Sequence, residues 1–208
     1  MLKKIFSLCS ILIIFCFSYP AYAINGESAA RYADQWATSC NTAWPSYTQD
    51  CTNFVSQALY AGGMPMDKTT PNVWFMEKET LYGWNNSKSW TVSTDLRNYL
   101  LSTGKATQIG GWGWVNYLTI PSDSNSSFVL STSKTTVFFY DFGNGLGVSH
   151  AAIQTWSGTD NYYSSYTGNR ADYHSKDKLG VIWHLRPHNT DWQRLLSLHI
   201  KLIKEGSG

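Results

Sequence analysis

The sequence predicts an α+β fold in which N-terminal helices pack on a C-terminal antiparallel sheet. Three observations lead there. Helical apolar spacing is confined to the first half of the chain, and segments rich in β-branched and aromatic residues, separated by Gly, Asn and Asp turns, run from Thr135 to Leu185. No internal repeat divides the chain, so one domain is expected.

The first 23 residues are set apart from that domain. Lys3 and Lys4 precede an apolar run from Ile5 to Phe17, and Ala21-Tyr22-Ala23 supplies small residues around a cleavage site. This is the pattern of a signal peptide, so residues 1–23 are expected to be removed and 24–208 to form a single catalytic-sized domain, secreted or periplasmic. The apolar run is too short for a lasting anchor and no later window of that kind exists, so no stable membrane insertion is expected. The net charge of +2 leaves with Lys3 and Lys4. A balanced mature chain lacks the basic footprint of a nucleic-acid binder, and a monomer is the expectation.

Ala29, Tyr32, Ala33, Trp36 and Ala37 recur at helical spacing, with Ser28 placed to cap the helix. A polar loop from Asn41 to Gln49 leads to a second helix that starts near Cys51 and stops at Gly62-Gly63. Residues 64–90 show neither period and read as loop; Leu96, Tyr99 and Leu100 mark a third helix from Ser93 or Thr94 to Gly104. Gly110–Ser133 has the composition of a long surface loop around a cleft. The strands are expected at Thr135–Phe142, Val148–Trp156, Asn161–Thr167 and Leu179–Leu185, while Asp191–Glu205 reads equally as helix or strand.

After the leader only Cys40 and Cys51 remain. They could close a disulfide in an oxidising compartment, or one could stay reduced for chemistry. Cys51 sits at a helix start, where partial positive charge and unpaired N–H groups favour a thiolate. It shares a helix face with Val55 and Leu59, toward the packed side. His150 lies in the apolar segment Val148–Ile153, where an imidazole is costly to bury unless it has a partner or a task, and it is the candidate base.

The residues Asp50-Cys51-Thr52-Asn53-Phe54-Val55-Ser56-Gln57, followed by Gly62-Gly63, Ser89-Trp90-Thr91, Tyr140-Asp141 and Ser149-His150-Ala151-Ala152-Ile153, resemble the bacterial putative-amidase domain family. The Asp-Cys-Thr-x-Phe-Val core is similar to that of NlpC-like cell-wall peptidases. The resemblance implies a papain-like fold and a Cys51–His150 pair that hydrolyses an amide through a thioester, with peptidoglycan stem peptides as substrate and no cofactor. Where the family carries His-Thr after the histidine strand, this chain has Tyr166-Thr167, and Thr135-Thr136 stands in place of its Gly-Asp.

That difference leaves the group orienting His150 open among three residues. Asn169 ranks first, through the amide of papain-like enzymes; His174 follows, through the Cys-His-His arrangement of NlpC-like enzymes; Tyr166 comes last, through a hairpin about Ser157–Thr159. His184 and His188 are four apart, but Pro187 between them excludes the helical metal pair, and no metal is expected. Among the loop aromatics, Trp112 and Trp114, with Trp74 and Trp84, are candidates for substrate contact. The reading from another class is a non-catalytic glycan-binding module with a Cys40–Cys51 disulfide; an effector acting on a host or rival protein would carry the same catalytic residues.

Overall fold

The apolar stripe around Ala29 and Ala33 becomes helix α1, Gly26–Trp36, in a computed structural model that describes residues 24–81, 83–109, 115–116, 136–142, 147–185, 187–189 and 194–200. Its cap is Asn25 rather than Ser28: the Asn25 side chain accepts from the Ser28 N–H at 2.9 Å. The helix starts earlier than the apolar spacing implies because its first turn is polar, which leaves Ser28 as the third helical residue. Helix α2, Cys51–Ala61, is buried from Cys51 to Leu59. It ends at Gly62, where an added Cβ would lie 3.0 Å from the Ala29 Cβ, so a side chain there would press α1 away by a few tenths of an ångström.

The polar residues of α2 tolerate burial because each has a partner. Gln57 accepts from the Tyr32 hydroxyl at 2.6 Å. Asn53 accepts from the Trp90 ring N–H at 2.9 Å, and Ser56 takes the Trp74 ring N–H at 3.2 Å while donating to the Trp90 carbonyl at 2.9 Å. Trp74 and Trp90 stack at 4.5 Å in the core. Both come from the stretch expected to be loop, which instead forms strands β1 (Met76–Glu79) and β2 (Gly83–Asn86) and the short helix α3 (Lys88–Thr91). Four-residue strands with one exposed side are too short to show a period. Helix α4 covers Ser93–Ser102, close to its expected span.

The main sheet contains β3 (Ala106–Ile109), β4 (Val115–Asn116), β5 (Thr136–Asp141), β6 (Val148–Thr159), β7 (Thr167–Tyr173), β8 (Lys178–Ile182) and β9 (Arg194–Ile200). Its order is β3-β9-β5-β6-β7-β8, with β4 beside β9, and the pairings are antiparallel. The described part of the ambiguous tail, Arg194–Ile200, is therefore a strand, seated between β3 and β5. Both faces of β5 are buried: Val137 and Phe139 belong to the core with α1, α2 and α4, and Phe138 and Tyr140 to a second core with Val181, Ile182 and Trp183.

The hairpin expected about Ser157–Thr159, with its second strand at Asn161–Thr167, is displaced. Strand β6 continues to Thr159, and β7 begins only at Thr167. Asp160 causes this: one carboxylate oxygen accepts from the N–H groups of Tyr162 and Tyr163 at 2.8 and 3.0 Å, folding the aromatic run into a turn. Strand β8 also stops short of the Leu185 end expected for it. Trp183 and Leu185 remain buried beyond its end, Leu185 at φ 53°.

Candidate functional site

Cys51 is the first residue of α2, and its side chain is 7% exposed. Its sulfur lies 3.7 Å from the Thr52 hydroxyl and 3.9 Å from that of Ser93, and these hydroxyls are 2.7 Å from each other. Burial pushes the thiol pKa up. The charge of His150 and its hydrogen bond to the sulfur, the Ala151 N–H and the Thr52 hydroxyl outweigh that and bring it down to about 6. The structure thus brings together the two residues that the sequence singled out, from positions about a hundred residues apart.

His150 is aimed by a bulge. Tyr140 pairs with His150 and Asp141 with Val148, so Ser149 is the extra residue in β6, and the strand bends where it meets α2. The Thr94 hydroxyl donates to the Val148 carbonyl at 2.9 Å and ties the start of α4 to this bend. The imidazole is 7% exposed, and Tyr173 meets it edge-on at 4.6 Å. Its Nε2 has no hydrogen-bond partner among the described residues.

None of the three expected orienting residues reaches that nitrogen. Asn169 pairs with Ser157 across β6 and β7 and accepts from Ser157 and Gln154 at 2.9 and 3.3 Å, well along the strand from His150. Tyr166 lies in the turn that Asp160 creates, beside the His184 ring at 5.8 Å. His174 is close to the helix start but committed elsewhere, with Nδ1 2.7 Å from Asp50 Oδ2 and Nε2 2.7 Å from the Trp36 carbonyl. The displaced hairpin accounts for the first two, and the Asp50 carboxylate for the third.

A cavity of about 380 Å³ opens on Cys51 and His150. Gln49, Ser149, Ser175, Lys176 and Asn189 give it polar walls, and Phe142, Tyr173 and Leu185 apolar ones. Ser175 and Leu185 hold φ of 79° and 53°, a left-handed conformation that is unfavourable for these residue types and concentrates at functional sites. The Ser175 hydroxyl accepts from the Asp50 N–H at 2.9 Å. In the sequence Ser149 is marked by its place beside His150, and Ser175 and Lys176 by theirs beside His174; nothing local marks Gln49, Leu185 or Asn189.

Cys40 and Cys51 are both free, the first exposed and the second buried. Of the suspected tryptophans, Trp74 is fully buried, Trp84 stacks on Trp44 at 5.9 Å, and Trp112 and Trp114 lie outside the described residues, as does the leader. His188 pairs with Asp160 rather than with His184. Ligand atoms of Cys40, Asp50 and His174 fall within 4.8 Å of one another. His174 Nδ1 and Asp50 Oδ2 are 2.7 Å apart, the length of a direct hydrogen bond between the two groups, and Cys40 is exposed.

The family described as "Putative amidase domain" matches residues 23–196, which takes in both cores and the cavity. The chain belongs to that family. Membership points to amide hydrolysis as the chemistry of this amidase-family domain. Two Bacillus subtilis (strain 168) proteins are similar to it, both described as uncharacterized: YhbB, 37% identical over 41% of this chain and 26% of its own length, and YjcM, 30% identical over 76% of this chain and 32% of its own. The chain thus spans a third or less of these curated relatives. No solved structure matches the amidase-family domain.

Proposed function

We propose that this chain is an exported cysteine amidase or peptidase of papain-like, NlpC-like type that cleaves amide bonds in peptidoglycan stem peptides. The observation that carries the reading is a thiol at a helix start, lowered to about 6 by the histidine beside it, both opening on one cavity. The Cys51 thiolate adds to the amide carbonyl carbon, and N–H groups at the start of α2 face the developing oxyanion. The C–N bond breaks as His150 gives its proton to the leaving amine. His150 then takes a proton from water, the resulting hydroxide opens the thioester, and the thiol is restored. No cofactor enters this sequence. Free thiols at Cys40 and Cys51 support an enzyme over a disulfide-bonded glycan-binding module.

Incubation of the purified protein with defined muropeptides, followed by mass analysis, tests the substrate. New fragments split at an amide are expected from the native protein and none from Cys51→Ala, which leaves the fold intact; Cys40→Ala retains activity. Cleavage of proteins alone would move the reading to an effector. Alkylation of Cys51 should rise with pH through a midpoint near 6, well below an ordinary thiol. The intact mass of the exported protein should begin after Ala23.

A further inference from the structure

A carboxylate beside a nucleophilic thiol is an obstacle, because a neighbouring anion disfavours the thiolate. Asp50 immediately precedes Cys51 and is 5% exposed. Its side chain makes no capping bond to the α2 backbone. One oxygen accepts from the Tyr47 N–H at 3.0 Å and the Asn53 amide at 2.8 Å; the other faces His174 Nδ1 at 2.7 Å.

The His174 ring stands between two acceptors. Nε2 faces the Trp36 carbonyl at 2.7 Å and Nδ1 a carboxylate, so the form that satisfies both nitrogens is the imidazolium. A neutral ring with its hydrogen on Nε2 would set a lone pair against the Asp50 oxygen. The ring is 3% exposed and stacks on Phe54 at 4.1 Å. The groups facing it from each packed element are the Trp36 carbonyl of α1, Asp50 and the Phe54 ring at α2, the Cys40 thiol in the connecting loop, and Asp177 on its own turn, with no second cation among the described residues. Burial lowers the His174 pKa, and the bonds to Asp50 and Trp36 with the charges of Asp50 and Asp177 raise it above the usual histidine value.

We propose that His174 is a positioning residue for Cys51: a buried imidazolium that neutralises Asp50 and joins the end of α1, the start of α2 and the end of β7 behind the nucleophile. It acts through Asp50 rather than on the His150 ring. The role rests on Cys51 being the nucleophile, and alkylation of that thiol tests it without any substrate.

In the full chain, the rate of Cys51 alkylation is followed against pH by peptide mass, which separates Cys51 from Cys40. His174→Gln keeps a hydrogen-bond donor but removes the charge. It should raise the midpoint by about one pH unit, making alkylation about tenfold slower below it. The double variant Asp50→Asn/His174→Gln should bring the midpoint back, because the carboxylate that opposes the thiolate is gone. A merely structural role gives additive damage and no such rescue. An unchanged midpoint in His174→Gln, or a double variant as impaired as the single one, overturns the proposal. Should His174→Gln not fold, ¹⁵N spectra of the native protein decide: both His174 ring nitrogens protonated at neutral pH are expected, and a neutral ring overturns it. A native protein whose Cys51 shows an ordinary thiol midpoint would instead overturn the proposed function.

Discussion

Two buried Asp–His pairs in this protein have nearly the same length and different centres. Asp50–His174 measures 2.7 Å and Asp160–His188 2.6 Å. In the first, the imidazole is surrounded by acceptors and the pair stabilises a cation behind the nucleophile. In the second, the carboxylate is surrounded by donors: Tyr162, Tyr163 and Ile182 give it backbone N–H groups at 2.8, 3.0 and 2.7 Å, in addition to His188. Burial raises the Asp160 pKa, but the His188 bond and the backbone donors hold it below the usual carboxylate value. The surroundings, rather than the residue types, decide which member of such a pair carries the consequence.

The largest effect expected from this contrast is on stability. Asp160→Ala removes the acceptor of three backbone N–H groups, that of Ile182 buried, and the partner of His188, and should cost about 3 kcal/mol in denaturant unfolding, while Cys51 alkylation keeps its pH midpoint. A shifted midpoint would break the division between a structural pair and a site pair. The Asp160 contribution is present above the ordinary carboxylate range and lost as pH falls through its lowered folded value, so Asp160→Ala should also blunt acid unfolding.

Asp172 sharpens the comparison because it is a buried aspartate without an imidazole. Burial and the neighbouring Asp34 outweigh a bond from the Gly180 N–H and push its pKa to about 8. The folded state therefore binds a proton that the unfolded state releases near the usual carboxylate value. Stability from this group is complete below that value and is lost as pH rises toward about 8. Asp172→Asn should flatten the fall in melting temperature across that window; an equally steep fall would place the proton elsewhere.

A smaller effect is expected at the cavity mouth. Lys176 is the lysine among the described lining residues and has no ion pair among them. Lys176→Met should lower the ratio of Cys51 alkylation by iodoacetate to that by iodoacetamide about threefold, since only the first reagent is anionic. An unchanged ratio would mean that the lysine charge does not reach the thiol. The smallest effect belongs to Asn169: its bonds to Ser157 and Gln154 lie away from His150, so Asn169→Ala should leave turnover within about twofold of the native protein. A larger loss would return it to the role that its position after the histidine strand implied.

The sequence by itself determined what depends on neighbours along the chain. The helix start at Cys51, the stop at Gly62, the helix near Ser93 and the succession of helices then strands all follow from local spacing and turn chemistry, and an apolar segment around His150 was enough to mark it. The two residues that meet in the cavity were legible because each breaks a local rule, a thiol at a helix start and an imidazole in an apolar strand. Tertiary structure alone decided the rest. The run from Asn161 to Thr167 carries enough tyrosine and threonine to read as a strand, yet Asp160 turns it because its carboxylate also reaches Ile182 and His188. The tail reads as helix or strand until β3 and β5 supply ladders on both sides of it. His174 looked like a partner for His150; it belongs to Asp50, 124 positions away, because the ring takes its protonation and its role from the acceptors that folding brings to its two nitrogens.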